Sequence, residues 1–156
     1  MWWHADNSSY GLLLQGFATS DTVAGPYTFV SATAPLGNWS QDFGMFTNNA
    51  GRPYALYSNG DRKEARDIYI TSYNDNTTAL DKVVYRFNKF DLEAPSIVQT
   101  DKSYYALMSH KTGYRPNSMF ICVYRKTYKA NALQTWLHSA QTHSAVLGRS
   151  LGLWHR

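Results

Sequence analysis

The sequence predicts an all-β fold: a partial β-propeller of about two to three four-stranded blades, followed by an irregular or helical C-terminal tail. Three observations carry this. The 156-residue chain is rich in side chains that suit pleated strands, being 15% aromatic with 12 Tyr and 5 Trp. It repeats itself at an offset of 51 residues. No convincing amphipathic helix precedes residue 125.

The repeat is clearest between Tyr54-Ala55-Leu56-Tyr57-Ser58 and Tyr105-Ala106-Leu107-Met108-Ser109, where four of five residues are identical. Without a gap, Phe46 falls on Ile97, Ile68-Tyr69-Ile70 on Met119-Phe120-Ile121, and Tyr73 on Tyr124. The same offset lays Asp42 on Glu93. A weaker echo at 52 lays Trp2-Trp3 on Tyr54-Ala55 and Thr19-Ser20 on Thr71-Ser72.

Within one repeat the segments read as strands. Asp42 to Phe46 is short and apolar, and Asn48-Asn49-Ala50-Gly51 is a turn signal. Tyr54 to Ser58 is rich in strand formers and stops at Asn59-Gly60-Asp61. Asp67 to Tyr73 alternates, with Ile68, Ile70 and Ser72 on one face. Val83 to Phe87 supplies a fourth strand, with Val83, Tyr85 and Phe87 on one face. Four short strands per period are the unit of a propeller blade, whose known periods run to about 50 residues. In this register Trp2 to Asp6 is the second strand of a blade.

Composition excludes several classes. A hydrophobic share of 44% with 17% charged residues argues against disorder. No apolar run approaches the roughly eighteen residues of a membrane-spanning helix, so no membrane role is expected. The net charge of +4 forms no dense basic block, so no nucleic-acid partner is expected. The lone Cys122 sits in an apolar strand-like run and reads as a small buried hydrophobe. The start of the chain lacks the basic, apolar and cleavage regions of a signal peptide. Sequons at Asn7, Asn38 and Asn76 are close to the number chance would supply.

The repeat has a consequence for chemistry. Equivalent positions of successive blades sit at equivalent height around one channel, so Asp42 and Glu93 are expected side by side. Two carboxylates sharing an enclosed site repel, which is expected to raise one or both pKa values. Glycoside cleavage uses such a pair: one carboxyl donates a proton to the leaving oxygen while another group handles water. The plainer reading makes both acids ordinary turn residues at strand starts.

The same residues resemble glycoside hydrolase family 43. Pro35 to Phe46 is similar to the segment in which a Ser-Arg-Asp-Met stretch opens a blade, and Leu92-Glu93-Ala94-Pro95 to the family's Glu-Ala-Pro. Ser109 to Asn117 resembles its Ser-x-x-Thr-Gly-Trp-x-Pro-Asn loop, and Ala18 to Tyr27 its Ala-Thr-Ser-Asp-x-x-x-Gly-Pro-Tyr segment. Trp2-Trp3-His4-Ala5-Asp6 resembles the strand ending in His-x-Glu or His-x-Asp of the galactan 1,3-β-galactosidases. The resemblance covers residues 1 to about 117. It implies a five-bladed propeller, truncated here at both ends, and inverting, exo-acting hydrolysis of a galactan-type polysaccharide or oligosaccharide. Full-length members are expected to be extracellular. Glu93 would be the general acid, Asp42 its pKa modulator, and Asp6 part of the substrate-binding or catalytic cluster. β-Xylosidase and arabinofuranosidase activities share the scaffold and stay open, as does a degenerate hydrolase serving as a non-catalytic carbohydrate-binding or interaction propeller. No general base is recognisable; Gln141 lies near the right place but in no matching motif. The chain as it stands is therefore expected to be inactive.

Trp39 and Tyr114 flank the matched carboxylates and suit stacking on sugar faces, or ordinary loop packing. His110 and Arg115 are further substrate-binding candidates, with surface roles as the plainer reading. No metal is expected and no cofactor; some members hold a central cation, for which no ligand set is readable. Residues 1–125 form the partial propeller in this reading. Residues 126–156 are a divergent tail, with Leu133, Trp136, Leu137 and Ala140 at helical spacing, and are expected to reflect a gene-model artefact.

Overall fold

A computed structural model describes residues 1–60, 66–112, 115–117 and 119–125. They form three antiparallel sheets. The first holds β1 (Trp2–Ala5), β2 (Leu14–Thr19) and β3 (Thr28–Thr33) in that order. A single 3-10 turn at Pro35–Gly37 leads to the second, four-stranded sheet: β4 (Gln41–Thr47), β5 (Pro53–Ser58), β6 (Ile68–Tyr73) and β7 (Leu80–Phe87). The third holds β8 (Leu92–Gln99), β9 (Ser103–His110) and β10 (Met119–Arg125). The predicted helical tail lies outside the described residues, as do Tyr114 and Gln141.

Within each sheet sequential strands pair, which is the meander of a propeller blade. Strand β3, Thr-Phe-Val-Ser-Ala-Thr, carries no repeat signal and is nowhere fully buried, so its pattern hides it from a sequence reading. In the four-stranded sheet both faces are covered. Ile68 and Ile70 join Phe46, Tyr54, Leu56 and Phe87 in a core shared with Leu92, Tyr104, Ala106, Met108 and Cys122 of the third sheet. Ala55, Tyr57, Tyr69 and Tyr73 pack the other way, against Trp2. Aromatic rings cross both seams: Phe46 meets Tyr104 edge-on at 6.0 Å, and Trp2 meets Tyr73 at 5.1 Å. Bulges in the β6–β7 ladder set Val83 opposite Thr71, so Val84 rather than Val83 joins Tyr85 and Phe87 against the core.

The ladders also refine the repeat. The offset of 51 holds in the second and third strands of each blade, where Leu56 faces Ile70 and Leu107 faces Ile121. In the first strands it becomes 52. Gln41 and Glu93 face Ser58 and Ser109, and Gly44 and Ser96 face Leu56 and Leu107. The cause is the turn: Thr47 pairs with Pro53 across residues 48–52, whereas Gln99 pairs with Tyr104 across 100–103, one residue fewer. The upstream echo at 52 does not reach β2, because Trp2 faces Phe17 while Tyr54 faces Ser72.

Up-and-down topology sends every odd connection to one end. The ends of β1, β3, β5, β7 and β9 and the starts of β4, β6, β8 and β10 lie together. That end collects Asp6, Trp39, Asp42, Glu93, His110 and Arg115. The short turns at 48–52, 74–79 and 100–103 lie at the other.

Candidate active site

Asp42 and Glu93 do converge, but not as equivalent residues. Both first strands bulge at this end, between Gln41 and Gly44 and between Glu93 and Ser96. Asp42 has φ 51° and Ala94 φ 52°, so these two share the left-handed bulge position. Glu93 is the ladder counterpart of Gln41, one residue earlier. A bulge re-aims the side chains around it, and here it compensates the slip.

Arg66, just before β6, joins the pair. Its Nη1 donates to Asp42 Oδ2 at 3.1 Å and to Glu93 Oε2 at 3.2 Å. The two oxygens are therefore at most about 6.3 Å apart. The repulsion expected between two acids is met by a guanidinium. Arg66 and Glu93 keep 15% and 20% of their side-chain surface, Asp42 33%, so Glu93 is the deeper carboxylate. Ser58 Oγ lies 3.0 Å from Asp42 Oδ2 and 3.3 Å from the Gln41 carbonyl. Asp91 Oδ1 accepts from the Arg66 backbone N–H at 3.3 Å. Neither Arg66 nor Ser58 stood out in the sequence; a basic residue next to a repeated strand start carries no motif.

Beneath Asp42 lies a small buried polar layer. Gln15 Nε2 donates to Ser40 Oγ at 3.1 Å. Gly60 lets the chain close over it, since a Cβ there would stand 2.7 Å from Gln41 Oε1 and 2.9 Å from Leu13.

Asp6 is at the same end on the first sheet, and its bonds are local. Oδ1 accepts from the backbone of Asn7 at 2.9 Å and Leu12 at 2.8 Å, and Oδ2 lies 3.0 Å from His4 Nε2. Burial pushes its carboxyl up, but the hydrogen bonds from Leu12, Asn7 and His4 outweigh that and hold it below the usual range. As placed, Asp6 is an ionised anchor for the 6–12 loop.

The β9–β10 connection is tied by Asn117. Its Nδ2 donates to the His110 carbonyl at 2.7 Å and to Thr112 Oγ1 at 2.6 Å, and its Oδ1 accepts from the His110 N–H at 3.3 Å. His110 and Arg115 are exposed, and no ion pair or hydrogen bond among the described residues joins their side chains to the carboxylates. Trp39 is 45% exposed in the β3–β4 connection. Among the described residues, no cluster of three or more His, Cys, Asp or Glu is placed to hold a metal, and no helix is long and apolar enough to cross a membrane.

No protein-family model and no curated protein matches the chain. Solved structures do. The exo-β-1,3-galactanase of Phanerochaete chrysosporium, in complex with galactose, aligns at TM-score 0.70 and 33% identity over 78% of this chain and 28% of that one. An exo-β-1,3-galactanase-like protein of Bifidobacterium bifidum aligns at 0.69 and 26%, over 78% and 40%. A family 43 β-1,3-galactosidase aligns at 0.64 and 27%, over 75% and 24%. The chain carries part of a glycoside hydrolase family 43 propeller. It spans less than half the length of each of these relatives. The family 43 segments read from the sequence fall where the propeller needs them. Pro35 to Phe46 crosses between blades and opens β4, Leu92 to Pro95 enters the β8 bulge, and Ala18 to Tyr27 links β2 to β3.

Proposed function

We propose that the site is the acid half of an exo-β-1,3-galactan hydrolase, with Glu93 as general acid and Asp42 as the residue that orients and tunes it. The convergence of the two carboxylates on Arg66 supports this reading. The Phanerochaete relative was solved with β-1,3-galactotriose in variants with one glutamate replaced, which favours a galactose-built ligand here. Glu93 protonated would give its proton to the glycosidic oxygen as that bond breaks, and a water would add its oxygen to the anomeric carbon. Asp42 stands too near Glu93 to be the base across an inverting site, where carboxyl groups lie about 6.5–9.5 Å apart with water between. The base is unassigned among the described residues. Asp6, Trp39, His110 and Arg115 line the end where the glycan would lie, and an extracellular setting suits that ligand.

The test is galactose release from β-1,3-galactotriose by the full-length hydrolase carrying this segment, with binding followed by calorimetry. Glu93→Gln should lower turnover by about 10²–10⁴-fold, the usual worth of a positioned acid, while binding persists. Unchanged turnover removes Glu93 from the role. The lack of an assigned base favours a second reading, a carbohydrate-binding propeller, for which binding without release is the signature.

A further inference from the structure

Resting on that function, we infer that Arg66 is a positioning residue that latches the pair: its bond to Glu93 must be given up before Glu93 can act as an acid. A guanidinium beside a carboxyl favours the ionised form, whereas a general acid must begin protonated. The two states exclude one another, so the observed geometry is the resting one.

The bonding pattern makes exchange feasible. One nitrogen, Nη1, serves both carboxylates, so neither pair has the two parallel bonds of a forked arginine contact. Arg66 Nε is buried with no partner among the described residues. Asp42 is held independently by Ser58, and the Arg66 backbone by Asp91, so the latch can leave Glu93 while both ends stay anchored. A glycosidic oxygen arriving at Glu93 would replace Nη1 there, and Arg66 would keep its bond to Asp42.

Among the described residues, three carboxylates are bonded to Arg66. Asp42 comes from β4, Glu93 from β8 and Asp91 from the β7–β8 connection. His110 ends β9 opposite Leu92, beside Glu93, and the His4–Asp6 pair belongs to the first sheet. Among the described residues Arg66 is the cation bonded to both acids of the pair, so its removal should act directly on Glu93.

The experiment is Arg66→Gln in the full chain, read in two ways. The alkaline limb of galactose release should move to higher pH by about one unit, a tenfold change in the protonation equilibrium. The carboxyl ¹³C signal of Glu93 should titrate at correspondingly higher pH. An unmoved limb or titration overturns the latch. Absence of release from the unsubstituted full-length hydrolase carrying this segment overturns the proposed hydrolase instead, and the carboxyl titration still decides the latch. Should the glutamine variant fail to fold, Arg66→Met, which keeps much of the side chain's length and removes its charge, decides it: Glu93 again titrates at higher pH, and no movement overturns the inference.

Discussion

The most informative stability test is Tyr57→Phe. Tyr57 is completely buried, its ring stacked on Tyr69 at 5.2 Å and 4°, and its hydroxyl has no partner among the described residues. An unsatisfied buried hydroxyl costs about 1–3 kcal/mol of lost hydration. Removing the oxygen alone keeps the ring and most of its contacts, so the variant should gain about 1 kcal/mol. That is about 2–4 °C in Tm for a domain of this size. Tyr57→Ala, by contrast, should lose about 3–5 kcal/mol, because the ring and its stack go together. Urea unfolding with matched m-values separates the two. The hydroxyl also fixes a pH signature. Burial pushes Tyr57 and Tyr73 well above the ordinary tyrosine range, and the Tyr69 hydroxyl adds to it at Tyr57. The stability this represents is present below about pH 10, where the unfolded tyrosines hold their protons, and is lost above it as they ionise first. Each such tyrosine steepens the alkaline loss by about 1.4 kcal/mol per pH unit, so Tyr57→Phe should flatten that limb by about as much. A destabilised Phe variant, or an unchanged alkaline limb, would show that the hydroxyl is satisfied or solvated and refute the argument.

Two further outcomes follow from the geometry. Gly16→Ala should cost about 1–3 kcal/mol by urea unfolding, since a Cβ there would run into the Trp3 indole, which lies across the glycine from the paired strand. Asp67→Asn should cost about 1–2 kcal/mol. The buried carboxylate accepts from Lys89 N at 2.7 Å and Arg86 Nε at 2.9 Å, but Arg86 is 45% exposed and its share is screened. A neutral result at Asp67 would mean that the amide oxygen alone holds the β7–β8 connection.

The blade strands were legible where apolar alternation is strong and the repeat intact. β5 with β9 and β6 with β10 keep one offset, and the buried Ala55, Tyr57 and Thr71 recur as the buried Ala106, Met108 and Cys122. β3 was not legible, because its residues stay exposed or half-buried and no period marks it. Of the site, Asp42 and Glu93 were readable as acids opening repeated strands. Asp6 was readable only as part of a resembling motif, and its bonds place it in loop anchoring. Arg66 was not readable at all: its role depends on the length of a connection that brings one side chain back over two strands.

The one-residue slip in the first strands shows why sequence equivalence and chemical equivalence part company here. Successive side chains of a strand point to opposite faces, so a slip of one normally separates residues that a repeat aligns. Asp42 and Glu93 still meet because each lies at a bulge, and Asp42 takes the left-handed position that Ala94 takes in the next blade. An inherited symmetric pair would put two identical carboxylates in identical surroundings. The slip instead makes one of them a bulge residue, a third exposed and tied to Ser58 as well as Arg66, and the other a ladder residue, deeper and tied among the described residues to Arg66. Different surroundings are what let two acids take different protonation states. The shorter turn at residues 100–103, at the far end of the blade, is thus why an offset read from the second strands lays Asp42 on Glu93 although the ladders set Asp42 against Ala94.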